Sequence, residues 1–514
     1  MLVLGLGVSG LAMARWCVRH GAQVSVWDSR DAPPGAAALA AELPSARFSS
    51  AALRPESLAG VQLVLKSPGL APHDQLVAPL LAAARAAGVH VGGELELFAQ
   101  ALAELKRDTD YSPKLIAITG TNGKTTTTAL TALLVERSGR SVVAAGNIGP
   151  SMLDTLTVHL DAGKLPQVWV LELSSFQLHD IDIGAAFEPT AAVVLNVTQD
   201  HLDWHGSIDA YVAAKAKVFG SSALMVINRD DAIVAAMAPS AAPAHLATKA
   251  NKPVKGARKP VPRTVIRFGL DTPQHPGDFG LVVENGLAWL VRAMPAEDTG
   301  RRRKVGVDAP EEIHLQRMMP ADALRLRGRH NTSNALAALA LSSGVGCAIG
   351  PMLHGLRDYA GEPHRVQPIG RIGDVEAYDD SKGTNVGATV AALNGLGADL
   401  APARLVVILG GDGKGQDFAP LAPAVAAHAR AVALIGRDAD RIAAALVSTN
   451  VALQRHETLE AATAWCFEQA QPGDAVLLSP ACASLDMFSN YAHRAEVFVA
   501  AVQALAMSQG EVLV

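Results

Sequence analysis

The 514-residue chain is poor in the residues that announce several common protein classes. Its four cysteines, Cys17, Cys347, Cys466 and Cys482, lie far apart and form no C-x-x-C pair. That spacing excludes a disulfide scaffold and a zinc ribbon, and it fits a reducing compartment. Aromatic residues are only 4% of the chain, so aromatic stacking platforms for single-stranded nucleic acid are not expected. A basic excess is also lacking: the net charge is −5, and nothing global points to nucleic acid or an anionic membrane surface. Mean hydropathy is positive. Even so, the most apolar stretches, "LVAPLLAAARAAGVHV" and "LAPAVAAHARAVALIG", are short and contain Arg or His, so no membrane span is expected. No basic region precedes the apolar start, which argues against a secretory signal and makes the cytoplasm the expected location.

What the chain does have is glycine, in loops that follow apolar runs. It opens with "MLVLGLGVSG", in which Gly5, Gly7 and Gly10 match G-x-G-x-x-G. A strand-like run, Leu2 to Leu4, precedes the glycines, and a helix-like stretch from Leu11 to Cys17 follows. "VSVWD" then reads as a second strand with Asp28 at its end. Taken alone, this is the dinucleotide fingerprint of a dehydrogenase. A buried strand ordinarily has about five or six residues. Only four precede Gly5, so either the first strand is short or the start is trimmed.

The length suggests about three domains. Residues 1–108 alternate strand-like and helix-like segments, with candidate strands at Leu2–Leu4, Val24–Trp27 and Val61–Leu65; "KRDTDYSP" reads as a polar linker. A second unit, 109–360, starts at "KLIAITGTNGKTTTT" and continues through "VWVLELSS", "AAVVLNVTQDH" and "ALMVINRDD". β-Branched runs between helices indicate a parallel sheet covered on both faces. Basic, Pro- and Gly-rich stretches near 249–263 and 300–312 read as surface insertions around short strands ("TVIRFGL", "GLAWLV"). A third unit, 361–514, carries "YDDSKGTN", "LGGDGKGQDF" and "SPACASLDMF". The expected class is therefore α/β in three domains: Rossmann-like, then a central P-loop ATPase-type parallel sheet, then a second Rossmann-like unit.

The strongest local signal is "IAITGTNGKTTTT". Gly120 and Gly123 allow the backbone N–H groups of Thr121 and Asn122 to turn towards phosphate, and Lys124 adds a positive charge near the β- and γ-phosphates. Thr125 can reach Mg²⁺ through its hydroxyl, and the helix that begins there, with Thr126, favours anions at its N-terminus. ATP is the expected ligand. The loop is compressed, because G-x-x-x-x-G-K-[ST] would require Gly where Ile118 stands.

Other chemistry gathers at predicted strand ends, where ligand loops collect in parallel sheets. Glu172 ends "VWVLE" and is a candidate for Mg²⁺. Asn196, Asp200, His201, Asp203 and His205 crowd a segment that reads as a loop. His201 and His205 have i,i+4 spacing, but Leu202 replaces the Glu of H-E-x-x-H, so a phosphate or Mg²⁺ role for one His is favoured over zinc. Lys215 and Lys217 follow on a helix. Arg365 in "EPHRVQPIG" and Asp379, Asp380, Ser381, Lys382, Thr384 and Asn385 in "YDDSKGTN" are further candidates; Arg365 and Lys382 could neutralise charge in phosphoryl transfer, and Lys414 suits a carboxylate.

Taken in order, "GTNGKTTT", "GNIG", "LELSSFQL", "DHLDWH", "YVAAK", "GRHNTSNALAALA", "PHR", "DDSKGTN", "LGGDGKGQDF" and "SPACASLDMF" resemble the Mur ligases nearly end to end. The resemblance implies that the first glycine turn holds the uridine diphosphate of a substrate rather than NAD. Val8, Ser9, Ser29, Arg30 and Ser67 would line that site, and Asn147 and His201 would lie nearer the centre. It implies ATP and two Mg²⁺ sites, with Lys124 and Thr125 on phosphates and metal, Glu172 on the first Mg²⁺ and His201 on the second. Lys215 aligns with a lysine that is carbamylated in the family, which would make it an anionic metal-site ligand. Asn331, Asn334, Arg365, Asp380 and Lys382 would surround ATP. Thr384, Lys414, Ser484, Leu485 and Tyr491 would form an amino-acid pocket, with Tyr491 where Phe is common. Within the family the motifs fit best the addition of D-glutamate to UDP-N-acetylmuramoyl-L-alanine by a monomer, with no nucleic-acid or membrane partner.

A sibling ligase adding another amino acid is the nearest alternative. The alanine-adding member usually carries His where this chain has Asn122, and the Asp-Asn-Pro-Arg motif of the diaminopimelate- or lysine-adding member is missing. An NAD-binding oxidoreductase would explain residues 1–28 only. A regulatory nucleotide-binding module would explain the glycine loops but not the strand-end Glu, His and Lys set.

Overall fold

The computed structural model describes residues 1–181, 187–239, 263–296 and 312–511. The basic stretches expected near 249–263 and 300–312 lie outside the described residues except at their edges, Arg263 and Glu312.

Three sheets organise the described chain. The first contains β1 (Leu2–Leu4), β2 (Ser25–Trp27), β3 (Arg47–Ser49), β4 (Leu63–Lys66) and β5 (His90–Gly92) in the order β3-β2-β1-β4-β5, all parallel. The opening strand is thus short, three residues, but central. The chain winds outward from β1 to β3 and then restarts at β4 on the other side. A crevice therefore opens between the ends of β1 and β4, the topological switch point where parallel sheets take ligands.

The central sheet contains β6 (Lys114–Thr119), β7 (Val142–Gly146), β8 (Val168–Glu172), β9 (Ala191–Val194), β10 (Leu224–Asn228), β11 (Val265–Phe268), β12 (Phe279–Glu284), β13 (Leu287–Pro295) and β14 (Ile313–Pro320). The order is β14-β13-β12-β11-β10-β9-β6-β8-β7, with an antiparallel β12-β13-β14 edge on a parallel remainder. Every residue of β8 and β9 is buried, as continuous apolar runs require when helices cover both faces. One covering helix, Arg329–Gly344, is buried from Ala335 to Ser342 and packs on the helix Lys124–Arg137. Its Ala-rich sequence lets the two axes approach closely.

The third sheet contains β15 (Gln367–Ile372), β16 (Val375–Asp379), β17 (Leu405–Gly410), β18 (Ala429–Ile435), β19 (Ala452–Arg455) and β20 (Ala475–Leu478), in the order β15-β16-β20-β17-β18-β19. Only the β15-β16 pair is antiparallel.

Two sequence expectations need correction. The polar stretch 106–113 is only half a linker, because the helix Glu94–Thr109 runs through Lys106 and Arg107 before Asp110 ends it in a left-handed conformation (φ 58°). Basic residues in a last turn complement the helix dipole, so their polarity signals a helix end rather than its absence. The segment after Asp200 is likewise not all loop: Leu202–His205 forms one helical turn, begun by His201 at φ 53° and closed by Gly206.

The first and central units share apolar packing. Phe98, on the helix Glu94–Thr109, meets Trp169 of β8 edge to face with centroids 4.9 Å apart. Arg15 bridges Glu42 and Asp154, and Arg19 pairs with Asp161, across the same boundary.

Candidate active site

Strand β6 delivers the chain into the loop Gly120–Gly123, and Lys124 begins the helix. Gly123 adopts φ 83°, and a Cβ there would stand 2.5 Å from Asn334 Oδ1. Only glycine fits that turn. The loop is braced from β9's end: Asn196 Oδ1 accepts from Asn122 N (2.8 Å), and its Nδ2 donates to Asn122 O (3.0 Å). Lys124 Nζ folds back onto the loop, donating to the carbonyls of Gly120 (3.0 Å) and Thr121 (2.9 Å). Burial lowers its pKa, opposed by the nearby Glu172.

Lys215 Nζ donates to the same Gly120 carbonyl at 2.8 Å and is 1% exposed. Burial, then repulsion from Lys124, pushes this amine well below the ordinary lysine range, while Asp200 pulls the other way. Lys217 points elsewhere, donating to the carbonyls of His179 (2.6 Å) and Ile181 (3.0 Å). A distinction that residue type alone could not make is thus set by the fold: Lys215 lies on the helix Ile208–Ala216, and Lys217 opens the 3-10 turn after it.

Glu172 is 2% exposed at the end of β8. Its Oε1 accepts from Asn147 Nδ2 (2.8 Å), whereas Oε2 is buried without a partner. His201 lies beside Asp200 and meets Phe176 edge to face at 4.7 Å. Burial lowers its pKa despite Asp200, which favours the neutral imidazole. His205 Nε2 lies 3.0 Å from Ser175 Oγ, and its ring packs on Phe176 and Tyr211, as that of His201 does. Among the described residues no cluster of His, Cys, Asp and Glu has a metal-cage arrangement.

The third unit meets this loop. Arg365 Nη2 donates to Thr125 Oγ1 (2.6 Å), and Asn385 pairs with Asn122 and donates to Asp200 Oδ2 (3.2 Å). Together they enclose a cavity of about 480 Å³, lined by Thr121, Asn122, Gly123, Lys124, Thr125, Asn147, Glu172, Asp200, His201, Arg365, Lys382, Thr384, Lys414 and Tyr491, among others. Lys382 Nζ stands 4.0 Å above the Tyr491 ring. Ser484 and Leu485 do not line this cavity, and Leu485 is 70% exposed. Their loop is joined to the Lys414 loop by the Asp412–Ala483 bridge and by Gly410 N, which donates to Pro480 O at 2.9 Å.

A second cavity of about 350 Å³ adjoins the first and shares Asn122, Gly123, Arg365 and Lys382 with it. Thr126, Asn331, Asn334 and Asp380 also line it. Asn334 donates to Asn331 Oδ1 (3.2 Å), and Asn331 donates to Arg327 O (2.8 Å). Burial raises the Asp380 carboxyl to about 7, even though Ser479 Oγ donates to it at 2.7 Å.

A third cavity of about 420 Å³ sits at the switch point of the first sheet. Val8, Ser9, Ser29, Arg30 and Ser67 all line it. Asp28, the apparent ribose-reading acid, lines the cavity too, but both its carboxylate oxygens are bonded within the protein. Its Oδ2 accepts from Leu6 N (2.8 Å) and Arg30 Nη2 (2.9 Å), and its Oδ1 accepts from Arg30 Nε (2.8 Å). These bonds, with Arg30 the largest influence, lower its carboxyl to about 2. The acid that would read a nicotinamide dinucleotide's ribose instead shapes the glycine turn.

Asn196 and Asn385, candidates by their place past predicted strands, become positioning groups because the fold brings both to Asn122. Sequence reasoning passed over a third such group. Arg494 is fully buried in the helix Tyr491–Ser508, where a helix pattern suggests a surface residue. It donates to Ser381 O (2.8 Å) and Cys482 O (3.1 Å), bracing two loops.

Fold and site together define a three-unit α/β nucleotide-binding protein with its phosphate loop facing the third unit. Three family descriptions match it: the Mur ligase MurD-like N-terminal domain at residues 1–93, the Mur ligase middle domain at 118–259, and the Mur ligase glutamate ligase domain at 364–482. A UDP-N-acetylmuramoylalanine--D-glutamate ligase from Albidiferax ferrireducens is 58% identical, covering 99% of this chain and 97% of that protein. The ligase of the same name from Burkholderia mallei is 55% identical, covering 100% and 98%. Among solved structures, a UDP-N-acetylmuramate-alanine ligase from Thermotoga maritima superposes with TM-score 0.54 at 18% identity, covering 98% of this chain and 99% of that one. A MurF ligase from the same organism, solved with ADP, gives 0.54 at 14% identity, covering 98% and 95%. These two likenesses speak for the fold. The chain belongs to the Mur ligase family.

Proposed function

We propose that this chain adds D-glutamate to UDP-N-acetylmuramoyl-L-alanine, with ATP cleaved to ADP and phosphate, in the synthesis of peptidoglycan precursors. The observation that carries the reading is the cavity between the phosphate loop and the third unit, where Lys124, Glu172 and His201 face Lys382, Lys414 and Tyr491. The names of relatives sharing more than half of its residues agree.

In the first step the substrate's terminal carboxylate oxygen attacks the γ-phosphorus, the bond to ADP breaks, and an acyl phosphate forms. In the second, the amine nitrogen of D-glutamate attacks the acyl carbon, phosphate leaves, a proton is lost and an amide remains. Lys124, Arg365 and Lys382 would neutralise phosphate charge, and Lys414 with Thr384 and Tyr491 would seat the amino acid's carboxylates. Ser484 and Leu485 would join that pocket only after a local movement. Asn331, Asn334 and Asp380 would hold the nucleoside. The switch-point cavity would take the uridine diphosphate, and Asn147 would contact the sugar end.

The residues present suit Mg²⁺. Glu172 has a buried, unpartnered carboxylate oxygen, and His201 favours its neutral, ligating form. Glu172 and Thr125 would hold one ion, His201 and Lys215 the second, and the ions would supply charge neutralisation at the phosphates. Lys215 would serve as its carbamate: a neutral amine adds CO₂ and releases a proton, and the lowered pKa of this amine favours that form.

The reading takes the enzyme as a monomer of the cytoplasm with no nucleic-acid or membrane partner. All four cysteines are buried free thiols, which suits a reducing compartment. Among the described residues no helix is long and apolar enough to cross a membrane. The test is phosphate release from ATP with UDP-N-acetylmuramoyl-L-alanine and each of D-glutamate, L-glutamate, L-lysine and meso-diaminopimelate. Release requiring the muramoyl substrate and D-glutamate together is expected; release with another amino acid alone would make this chain a sibling ligase.

A further inference from the structure

We propose that Lys66 is a positioning residue that locks the seat of the uridine diphosphate against the wall behind His201 in the central unit. The inference rests on the function proposed above.

Lys66 ends β4 and is 1% exposed. An ammonium so far from water needs a partner for each N–H. Lys66 Nζ has three: Asp180 Oδ2 at 2.8 Å, Leu70 O at 2.8 Å and Ser67 O at 3.4 Å. It also lies 5.4 Å from the centre of the Trp204 ring, a cation–π distance.

These partners belong to two different places. Ser67 and Leu70 bound the turn that lines the switch-point cavity. Ser67 itself is pinned to the glycine turn, with its Oγ donating to Gly5 O at 3.0 Å. Asp180 and Trp204 belong to the central unit. Trp204 stacks on Phe176 at 4.6 Å, and Phe176 meets His201 at 4.7 Å. A second strut runs alongside, where His73 Nε2 lies 3.1 Å from Asp203 O. One ammonium therefore holds the substrate seat and the wall behind His201 at a set spacing.

Stability alone is a poor account of this pair. A buried ion pair often adds nothing over apolar side chains of the same volume. What it does supply is direction. The proposed substrate spans both places, with its nucleotide in the switch-point cavity and its carboxylate at the phosphate loop. An error in their spacing degrades its alignment, whereas ATP, bound on the other side of the phosphate loop, is indifferent to it.

The test uses the full chain with Lys66→Met, Lys66→Arg, Asp180→Asn and the Lys66→Met/Asp180→Asn pair. It measures kcat and the KM for each substrate, with melting temperature as a check on folding. Lys66→Met and Asp180→Asn are expected to raise KM for UDP-N-acetylmuramoyl-L-alanine by about 10-fold and to lower kcat, leaving KM for ATP within about twofold. Lys66→Arg should restore most of the loss, and the double variant should be no worse than Lys66→Met. A KM for the muramoyl substrate within about twofold of wild type in folded Lys66→Met and Asp180→Asn would overturn the proposal. Should Lys66→Met fail to fold, Asp180→Asn decides by the same criterion. Inactivity of the wild type would instead refute the proposed function.

Discussion

Asn122 and Asn385 face each other amide to amide across two units of the chain. Asn122 Nδ2 donates to Asn385 Oδ1 at 3.2 Å, and Asn385 Nδ2 donates to Asn122 Oδ1 at 3.0 Å. Asn122 belongs to the phosphate loop, and Asn385 caps the helix Val386–Leu400 through Ala388 N. The same side chain thus starts a helix of the third unit and ties it to the nucleotide loop. Asn385→Asp keeps the cap but loses the donor and sets a second carboxylate beside Asp200. Its KM for ATP should rise by about 5- to 30-fold, corresponding to roughly one or two neutral hydrogen bonds, with little change in melting temperature. A lower melting temperature with unchanged KM would mean that the pair only stabilises the fold.

The same contacts bear on domain closure, which family analogy leads us to propose over bound ATP. Arg365 and Asn385 are the groups that hold the third unit to the loop. Small-angle scattering should give a smaller radius of gyration with ATP analogue and muramoyl substrate than without. Dimensions unchanged by ligands would count against a closing motion.

Lys124 and Lys215 both donate to Gly120 O. Lys124→Ala and Lys215→Ala should each lower kcat by at least about 100-fold, the scale of losing a charge-stabilising group. Short-chain carboxylic acids should restore part of the activity to Lys215→Ala and none to Lys124→Ala, because only the former would be missing an anion. Full activity in unaided Lys215→Ala would end the carbamate reading.

Asp28 makes a prediction for acid stability. Its folded pKa, about 2, lies below its ordinary value of 3.8. The stabilisation is present in full above the unfolded value and is lost as pH falls from about 4 to 2; by linkage it is on the order of 2 kcal/mol. Asp28→Asn should lower stability at pH 7 and lose this deficit near pH 2 in urea unfolding.

Asp380 behaves in the opposite sense. Burial raises its carboxyl to about 7. Between the unfolded value and about 7 the unfolded chain sheds a proton that the fold retains, so this group costs stability as pH rises through that range. The stability of Asp380→Asn relative to wild type should therefore increase from pH 4 to pH 8, while its KM for ATP rises. A relative stability independent of pH would show that the carboxyl ionises normally.

Much of this site was legible in one dimension because its chemistry is local. A glycine loop between a strand and a helix binds phosphate through its own backbone, so "GTNGKTT" is readable wherever it occurs. Apolar runs of period suited to buried strands announced the parallel sheets, and strand ends announced the ligand loops. The fingerprint at residues 5–10 was legible as well, but only as a pyrophosphate turn, since its geometry is the same for any such ligand.

What the sequence by itself determined, then, was the set of local conformations and the family of the chain. Tertiary structure decided which groups remain free to act. Asp28 is an acid at a strand end in both NAD-binding and other folds; only the fold shows that its two oxygens are taken up by Leu6 and Arg30. Lys215 and Lys217 are two residues apart and chemically alike, and the change from α-helix to 3-10 turn between them sends one to Gly120 and the other to His179. Lys66 and Asp180 are far apart in sequence and become one ion pair through the packing of two units. A side chain's pKa, partners and reach depend on what surrounds it in space, and burial and charge fall off over distances that sequence spacing does not encode.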